Sequence, residues 1–241
     1  MMHTDDLNVY HEDCLKFLES EPDNKYDLIY VDPPYNTGKK QKVGDNSYID
    51  KYEDYQSFIT PILKQSCRVL KDTGSFFCHL DWREVHKTKV IIDSIYGEDN
   101  FQNEIIWHSE IGNSPKRTWP RKHTNILWYT KSNTYTFNES NVPMIDRKAQ
   151  KEGYSDLKRM TDVWTYNLST TDPERVSYPN QKPLAILEPI VLVHSNPGDL
   201  CLDFFAGSGS FGEACIRNGR KCNLVDRNPQ SIEVIKKRFN I

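Results

Sequence analysis

The sequence predicts an α/β fold: a doubly wound, mostly parallel sheet in a permuted order. Three observations predict it. Strand-like and helix-like segments alternate at both ends of the 241-residue chain. The runs DLIYV (27–31) and SFFCHL (75–80) are too apolar to alternate, so both of their faces are buried, as in a parallel sheet. A glycine loop lies between a strand and a helix close to the carboxyl end, with one strand after it, so the rest of the sheet comes from earlier in the chain.

Taken in order, LNVY (7–10) reads as a short strand and HEDCLKFLES (11–20) as a helix. The strand 27–31 follows, then a polar, irregular segment, 39–50, expected to be a mobile loop. A helix spans about 52–70, closed by KDTG with Gly74 as its stop. After strand 75–80, the stretch 82–97 has helical periodicity and ends on Gly97. EIIWH (104–108) and NILWYT (125–130) are further strands. Periodicity is lost over 131–180, which reads as an insertion rather than core. Pro183 opens a helix, where its missing N–H costs nothing, and Pro189 is expected to kink that helix or end it early. LCLDFF (200–205), FGEACIRN (211–218), CNLVD (222–226) and SIEVIKKRF (231–239) give strand, helix, strand and helix. The chain therefore divides into an N-terminal part of one α/β domain (1–130), an insertion (131–177) and the C-terminal part of the same domain (178–241).

Composition sets the broad class. No run reaches the roughly 18 apolar residues of a membrane span, and the expectation is a soluble, cytoplasmic protein. The six cysteines form no C-x-x-C pair and sit mostly among apolar neighbours, which predicts small buried hydrophobes rather than disulfides or zinc ligands. The histidines show no ligand cluster, and His79, on a buried strand, reads as a satisfied core residue. The net charge of −3 is uneven. Residues 1–35 carry nine acids and two bases, whereas 112–160 carry ten bases and four acids. The basic segments PKRTWPRKH (115–123) and IDRKAQK (145–151) have Trp119, Trp128 and Tyr129 interleaved, a pattern suited to a phosphate backbone and unstacked bases. Candidate nucleic-acid contacts are Lys39, Lys40, Lys116, Arg117, Arg121, Lys122, Arg147 and Lys148.

GSGSFG (207–212) fits G-x-G-x-x-G after a strand and before a helix, and Asp226 ends the next strand. Small residues let a ligand approach the backbone, and the acid suits ribose hydroxyls. A dinucleotide-dependent dehydrogenase is thus a rival reading. Asp203 and Phe205, before the glycines, instead suit a nucleoside with a charged amino-acid tail.

The stretch LIYVDPPYNTG (28–38) also ends a strand. An exocyclic amine on a base is a poor nucleophile, because its lone pair is delocalised into the ring. Two acceptors on its N–H bonds would orient it and favour a pyramidal geometry. Asp32 offers a carboxylate, Pro33 a carbonyl, and the two prolines stiffen the turn and add no competing N–H. Tyr35 offers a ring for stacking, worth roughly 1–3 kcal/mol. A duplex base would have to be flipped out to reach it.

With DPPYNTG, GSFFCHLDW (74–82), YPNQKP (178–183) and DFFAGSGS (203–210) in this order, the chain resembles the beta-class, adenine-N6 amino-group DNA methyltransferases of restriction–modification systems. The resemblance implies a Rossmann-like methyltransferase fold, S-adenosylmethionine as cofactor, double-stranded DNA as substrate, residues 131–177 as target-recognition region, and, by analogy, a homodimer or a cognate restriction endonuclease as partner. It assigns Asp32, Pro33, Pro34 and Tyr35 to catalysis. It assigns Asp13, Cys14, Asp203, Phe205, Gly207, Ser208, Gly209 and Asp226 to the cofactor, with Gln181 and Lys182 at its methionine end. Phe204 and Phe211 depart from the family's usual residues, which bears on the finer cofactor contacts. Cytosine-N4 methylation is the nearest alternative, and a non-catalytic DNA- or nucleotide-binding module is a rival of another class.

Overall fold

The computed structural model describes residues 2–3, 5–43, 46–110, 115–147, 155–169, 171–176 and 178–241. In chain order the elements are β1 (Met2–His3), β2 (Leu7–His11), α1 (Cys14–Ser20), β3 (Tyr26–Val31), β4 (Lys40–Val43), β5 (Asn46–Ile49), α2 (Tyr55–Val69), β6 (Leu70–Leu80), α3 (Val85–Tyr96), β7 (Phe101–His108), β8 (His123–Thr130), β9 (Met144–Asp146), β10 (Leu157–Arg159), β11 (Val163–Thr165), α4 (Leu184–His194), β12 (Leu200–Asp203), α5 (Ser210–Arg217), β13 (Lys221–Asp226) and α6 (Pro229–Phe239).

A nine-stranded sheet runs β1-β2-β13-β12-β3-β6-β8-β7-β11. Strands β2, β13, β12, β3 and β6 are mutually parallel, and β8 is antiparallel to both β6 and β7. The apolar run of β3 divides between two cores. Ile29 and Val31 join Phe17, Leu63 and Ile92 beneath α1–α3, while Leu28 and Tyr30 join Ile186, Ala214 and Ile232 beneath α4–α6. Period-two side-chain alternation with both faces covered is why this strand shows no polar alternation. The doubly wound, mostly parallel fold is the one the sequence predicts.

Four local expectations are corrected. The supposed loop 39–50 contains an antiparallel hairpin, β4 with β5. Gly74 is not a helix stop: α2 ends at Val69, and Gly74 lies inside β6, where a Cβ would come 2.6 Å from Leu70 Cδ1. Helix α4 continues through Pro189 to His194, so the proline does not end it early. Its Leu187, Ile190, Val191 and Val193 are buried, and this packing outweighs the roughly 3 kcal/mol an interior proline costs. The stretch 131–177 is not wholly outside the core, because β11 pairs in parallel with β7 and buries Trp164.

Candidate active site

Four neighbouring parallel strands deliver four aspartates to one rim. The registers Asp226↔His11, Asp203↔Leu224 and Leu202↔Ile29 align the carboxyl ends of β2, β13, β12 and β3. Asp13, Asp226, Asp203 and Asp32 follow or end those strands in that spatial order. They line one cavity of about 450 Å³, together with Pro33, Tyr35 and Lys182. Ligand sites in open parallel sheets lie beyond such strand ends.

The glycine loop forms one wall. Gly207 has φ +51°, and a Cβ there would lie 3.2 Å from Tyr178 Cε1. Gly212 packs α5 on β13 so closely that a Cβ would stand 2.7 Å from Leu224 Cδ1. The carboxylates beside the loop are fixed by backbone donors. Gly207 N and Asn228 N each donate to Asp226 at 2.8 Å, and Phe205 N donates to Asp203 Oδ1 at 2.9 Å. Asp13 caps α1 by accepting from Leu15 N at 3.0 Å and Lys16 N at 3.3 Å. Burial pushes the neighbouring Cys14 thiol up to about 12, so it stays protonated and lines the wall as an apolar group. Phe211, the departure noted above, stacks on Tyr30 at 5.2 Å and belongs to the core.

The Asp32 turn forms the opposite wall. Tyr35 Oη donates to Asp32 Oδ1 at 2.6 Å, and the buried Lys182 ammonium donates to Oδ2. Lys182 Nζ also reaches Asn180 O at 3.1 Å and lies 5.3 Å from the centre of the half-buried Tyr35 ring. Burial, then the Asp32 charge, pushes the Tyr35 phenol well up, so it remains a neutral donor. The Pro33 carbonyl accepts no hydrogen bond from the described residues, which leaves it available to a ligand donor. Behind the turn, His79 bonds Tyr30 Oη and Thr124 Oγ1, both at 2.7 Å, and burial pushes its imidazole well down. It is the satisfied, neutral core histidine that the sequence predicts.

Asp50 holds the turn from below. Its carboxylate accepts from Asn36 N at 3.1 Å, Thr37 N at 3.0 Å and Thr37 Oγ1 at 2.8 Å. The same bonds tie the foot of the β4–β5 hairpin to the site. Asp50, Tyr178 and Arg227 line the cavity and were not singled out from sequence. The Asn-Thr pair after DPPY was the available signal for Asp50, since its polar groups needed an acceptor.

The cavity is acidic: among the described residues, Asp13, Asp32, Asp50, Asp203 and Asp226 face only Lys182 and Arg227 as cations. Burial pushes Asp203 well above the carboxylate range, and nearby Asp32 and Asp226 add to the rise. Asp226 is raised by burial too. Such a site gains by holding a cation.

The remaining predicted residues separate into groups. Gln181 bonds Val176 N and Glu174 O, both at 2.8 Å, and does not line the cavity. Gly209, at φ +77°, precedes α5 as its N-cap. Lys39 and Lys40 are exposed at the foot of the hairpin. Lys116, Arg117 and Arg121 are exposed on the loop after β7, and β7 ends on the same rim as β3. Lys122 Nζ bonds Glu110 O at 2.9 Å, Arg147 Nε bonds Ser155 O at 3.1 Å, and Lys148 lies outside the described residues. Among the described residues no cluster suits a metal ion, all six cysteines are free, and no helix is long and apolar enough to cross a membrane.

Residues 26–237 match the N6_N4_Mtase family model, described as DNA methylase. The chain is 28% identical over 237 residues to the type II methyltransferase M.HpaI of Haemophilus parainfluenzae, covering 98% of this chain and 74% of that protein. It is 28% identical over 249 residues to the DNA adenine methyltransferase YhdJ of Escherichia coli K12, covering 97% and 82%. The solved PvuII DNA methyltransferase, cytosine-N4-specific, superposes with TM-score 0.76 at 20% identity, over 98% of this chain and 87% of that one. An M1.HpyAVI–SAM complex gives TM-score 0.65 at 21% identity, over 98% and 100%. At these identities the structural likenesses establish the fold.

Proposed function

Because the chain belongs to the N6/N4 DNA methylase family, we propose that it methylates the N6 amino group of adenine in duplex DNA, with S-adenosylmethionine as donor. One observation carries methyl transfer to an exocyclic amine: strand β12 pairs directly with β3, so the glycine loop and the Asp32 turn line the same cavity.

The cavity's residues fit the cofactor. Gly207 leaves room beside Tyr178, Asp226 ends β13 where ribose hydroxyls can be bound, and the aspartates favour a cation. When bound, S-adenosylmethionine supplies a methyl group activated by its sulfonium charge. The protein's own part is to prepare the amine. Asp32 accepts one N–H and the Pro33 carbonyl the other, which aligns the nitrogen lone pair. Lys182 and Tyr35 hold the Asp32 carboxylate in one orientation, and the Tyr35 ring stacks on the extruded base. Catalysis here is positioning in a water-poor, preorganised site. Lys182 contacts the Asp32 carboxylate and also lines the cavity, so in this reading it orients Asp32 beside the methionine end that the resemblance implies for it; Gln181 shapes the 174–176 loop.

Residues 131–177 read the target sequence in this proposal, with Arg147 and the basic loop 115–122 on the phosphates. Dimerisation, implied by the family resemblance, would register as a doubled mass in sedimentation equilibrium. The deciding experiment incubates unmethylated DNA with the protein and labelled cofactor and analyses nucleosides by mass spectrometry. N6-methyladenine is the expected product. N4-methylcytosine would overturn the adenine reading and keep the family, and no transfer to any DNA would leave a binding module.

A further inference from the structure

Trp82 leaves the sheet beside the catalytic turn. Strand β6 pairs with β3 through Val31↔Cys78, so Trp82 stands as far past that register as Tyr35 does on the neighbouring strand. Its indole is 43% exposed, yet it is not bare. The Arg121 guanidinium carbon lies 4.1 Å from the ring centre and that of Arg83 4.9 Å. Arg121 comes from the loop after β7, so two separate segments meet on this ring.

The two arginines differ in what balances them. Arg83 is ion-paired with Asp81, whose other oxygen accepts Arg83 N at 2.9 Å. Arg121 makes no ion pair among the described residues. Its charge is therefore held in place by stacking and is not neutralised. A guanidinium stacked on an indole keeps its N–H edge free for a planar or tetrahedral oxyanion.

We propose that Arg121, fixed by Trp82 and backed by Arg83, is a phosphate clamp for the DNA backbone beside the flipped nucleotide. This deepens the function proposed above and rests on it for the identity of the ligand. Trp82 is a positioning residue: it acts through Arg121. Its ring makes no base contact in this arrangement. The clamp sits on the rim next to Asp32, where a phosphate contact fixes register without reading sequence.

The test measures binding of a duplex to wild type, Arg121→Gln, Trp82→Leu and the double variant, with S-adenosylhomocysteine present, across a salt series. Thermal melting checks that each variant is folded, and Trp82→Phe serves as the milder second substitution. Arg121→Gln should lower the slope of log K against log salt by about 0.9, the loss of one phosphate contact. Trp82→Leu should lower it in the same direction, and the double variant should bind no more weakly than Arg121→Gln alone, because both changes remove one device. An unchanged slope in Arg121→Gln would overturn the clamp. So would additive losses with an unchanged slope in Trp82→Leu, which would mean base stacking. If Arg121→Gln shows the expected slope change but the wild type transfers no methyl group, the proposed function fails and the clamp stands.

Discussion

The cavity and the rim around it carry opposite charge at the same end of one sheet. Inside, five aspartates face two cations, and most of their oxygens are tied to backbone N–H groups or to Lys182. Outside, Lys39, Lys40, Lys116, Arg117 and Arg121 are exposed. A net charge of −3 conceals this separation. Buried, backbone-held charge is screened little by salt, whereas exposed charge is screened within about 8 Å at physiological ionic strength. In the proposed reading the cavity therefore holds a small cation with little dependence on salt, and the rim holds a polyanion whose grip weakens as salt rises.

The sharpest way to break the comparison is within the cavity, at the carboxylate assigned to the amine rather than to the cofactor. Asp32→Ala should reduce turnover roughly 10²–10³-fold or more, as loss of a preorganised polar contact does. Cofactor binding by calorimetry should change little, because the glycine-loop wall is untouched. Retained activity in this variant would refute the assignment. Gly207→Val tests the other wall. Its φ of +51° and the Tyr178 ring at 3.2 Å leave no place for a branched side chain. Cofactor affinity should fall at least about tenfold, the equivalent of 1.4 kcal/mol. Undiminished affinity would mean that the cofactor does not approach the backbone there.

Much of this was legible in the chain itself, for identifiable reasons. The apolar runs of β3 and β6 reported burial on both faces, and the glycine loop reported a strand–helix turn, because each is set by short-range chemistry. The adjacency of β3 and β12 is written in neither segment, and the β12–β3 pairing supplies it. What stayed hidden depends on partners distant in sequence. The hairpin β4–β5 looked like a polar loop because Asp50, which braces its foot, acts through a fold-level contact. Pro189 looked like a helix breaker because propensity ignores the packing of α4. For Lys182 the resemblance implies the cofactor's methionine end, and only its position in the fold shows that Asp32 is its partner.

The smallest effect is a proton count, and it probes the cavity's charge most directly. Asp203 is pushed well up by burial, with Asp32 and Asp226 adding to the rise and Lys182 and the Phe205 N–H opposing it. Between its unfolded and folded values the folded protein binds more protons at this group than the unfolded chain does. Stability contributed by Asp203 therefore falls as pH rises through that window. A bound cation favours the ionised form and pulls the folded value back down. Cofactor binding should then release a fraction of a proton, and affinity should rise with pH across the same window. Calorimetry in two buffers of different ionisation enthalpy reads that fraction. S-adenosylhomocysteine lacks the sulfonium charge and should release less, and Asp203→Asn should reduce the difference between the two ligands, Asp226 supplying what is left. Equal release by both ligands in the wild type would mean that the aspartates do not sense the sulfonium, and the contrast between an acidic cavity and a basic rim would then concern DNA alone.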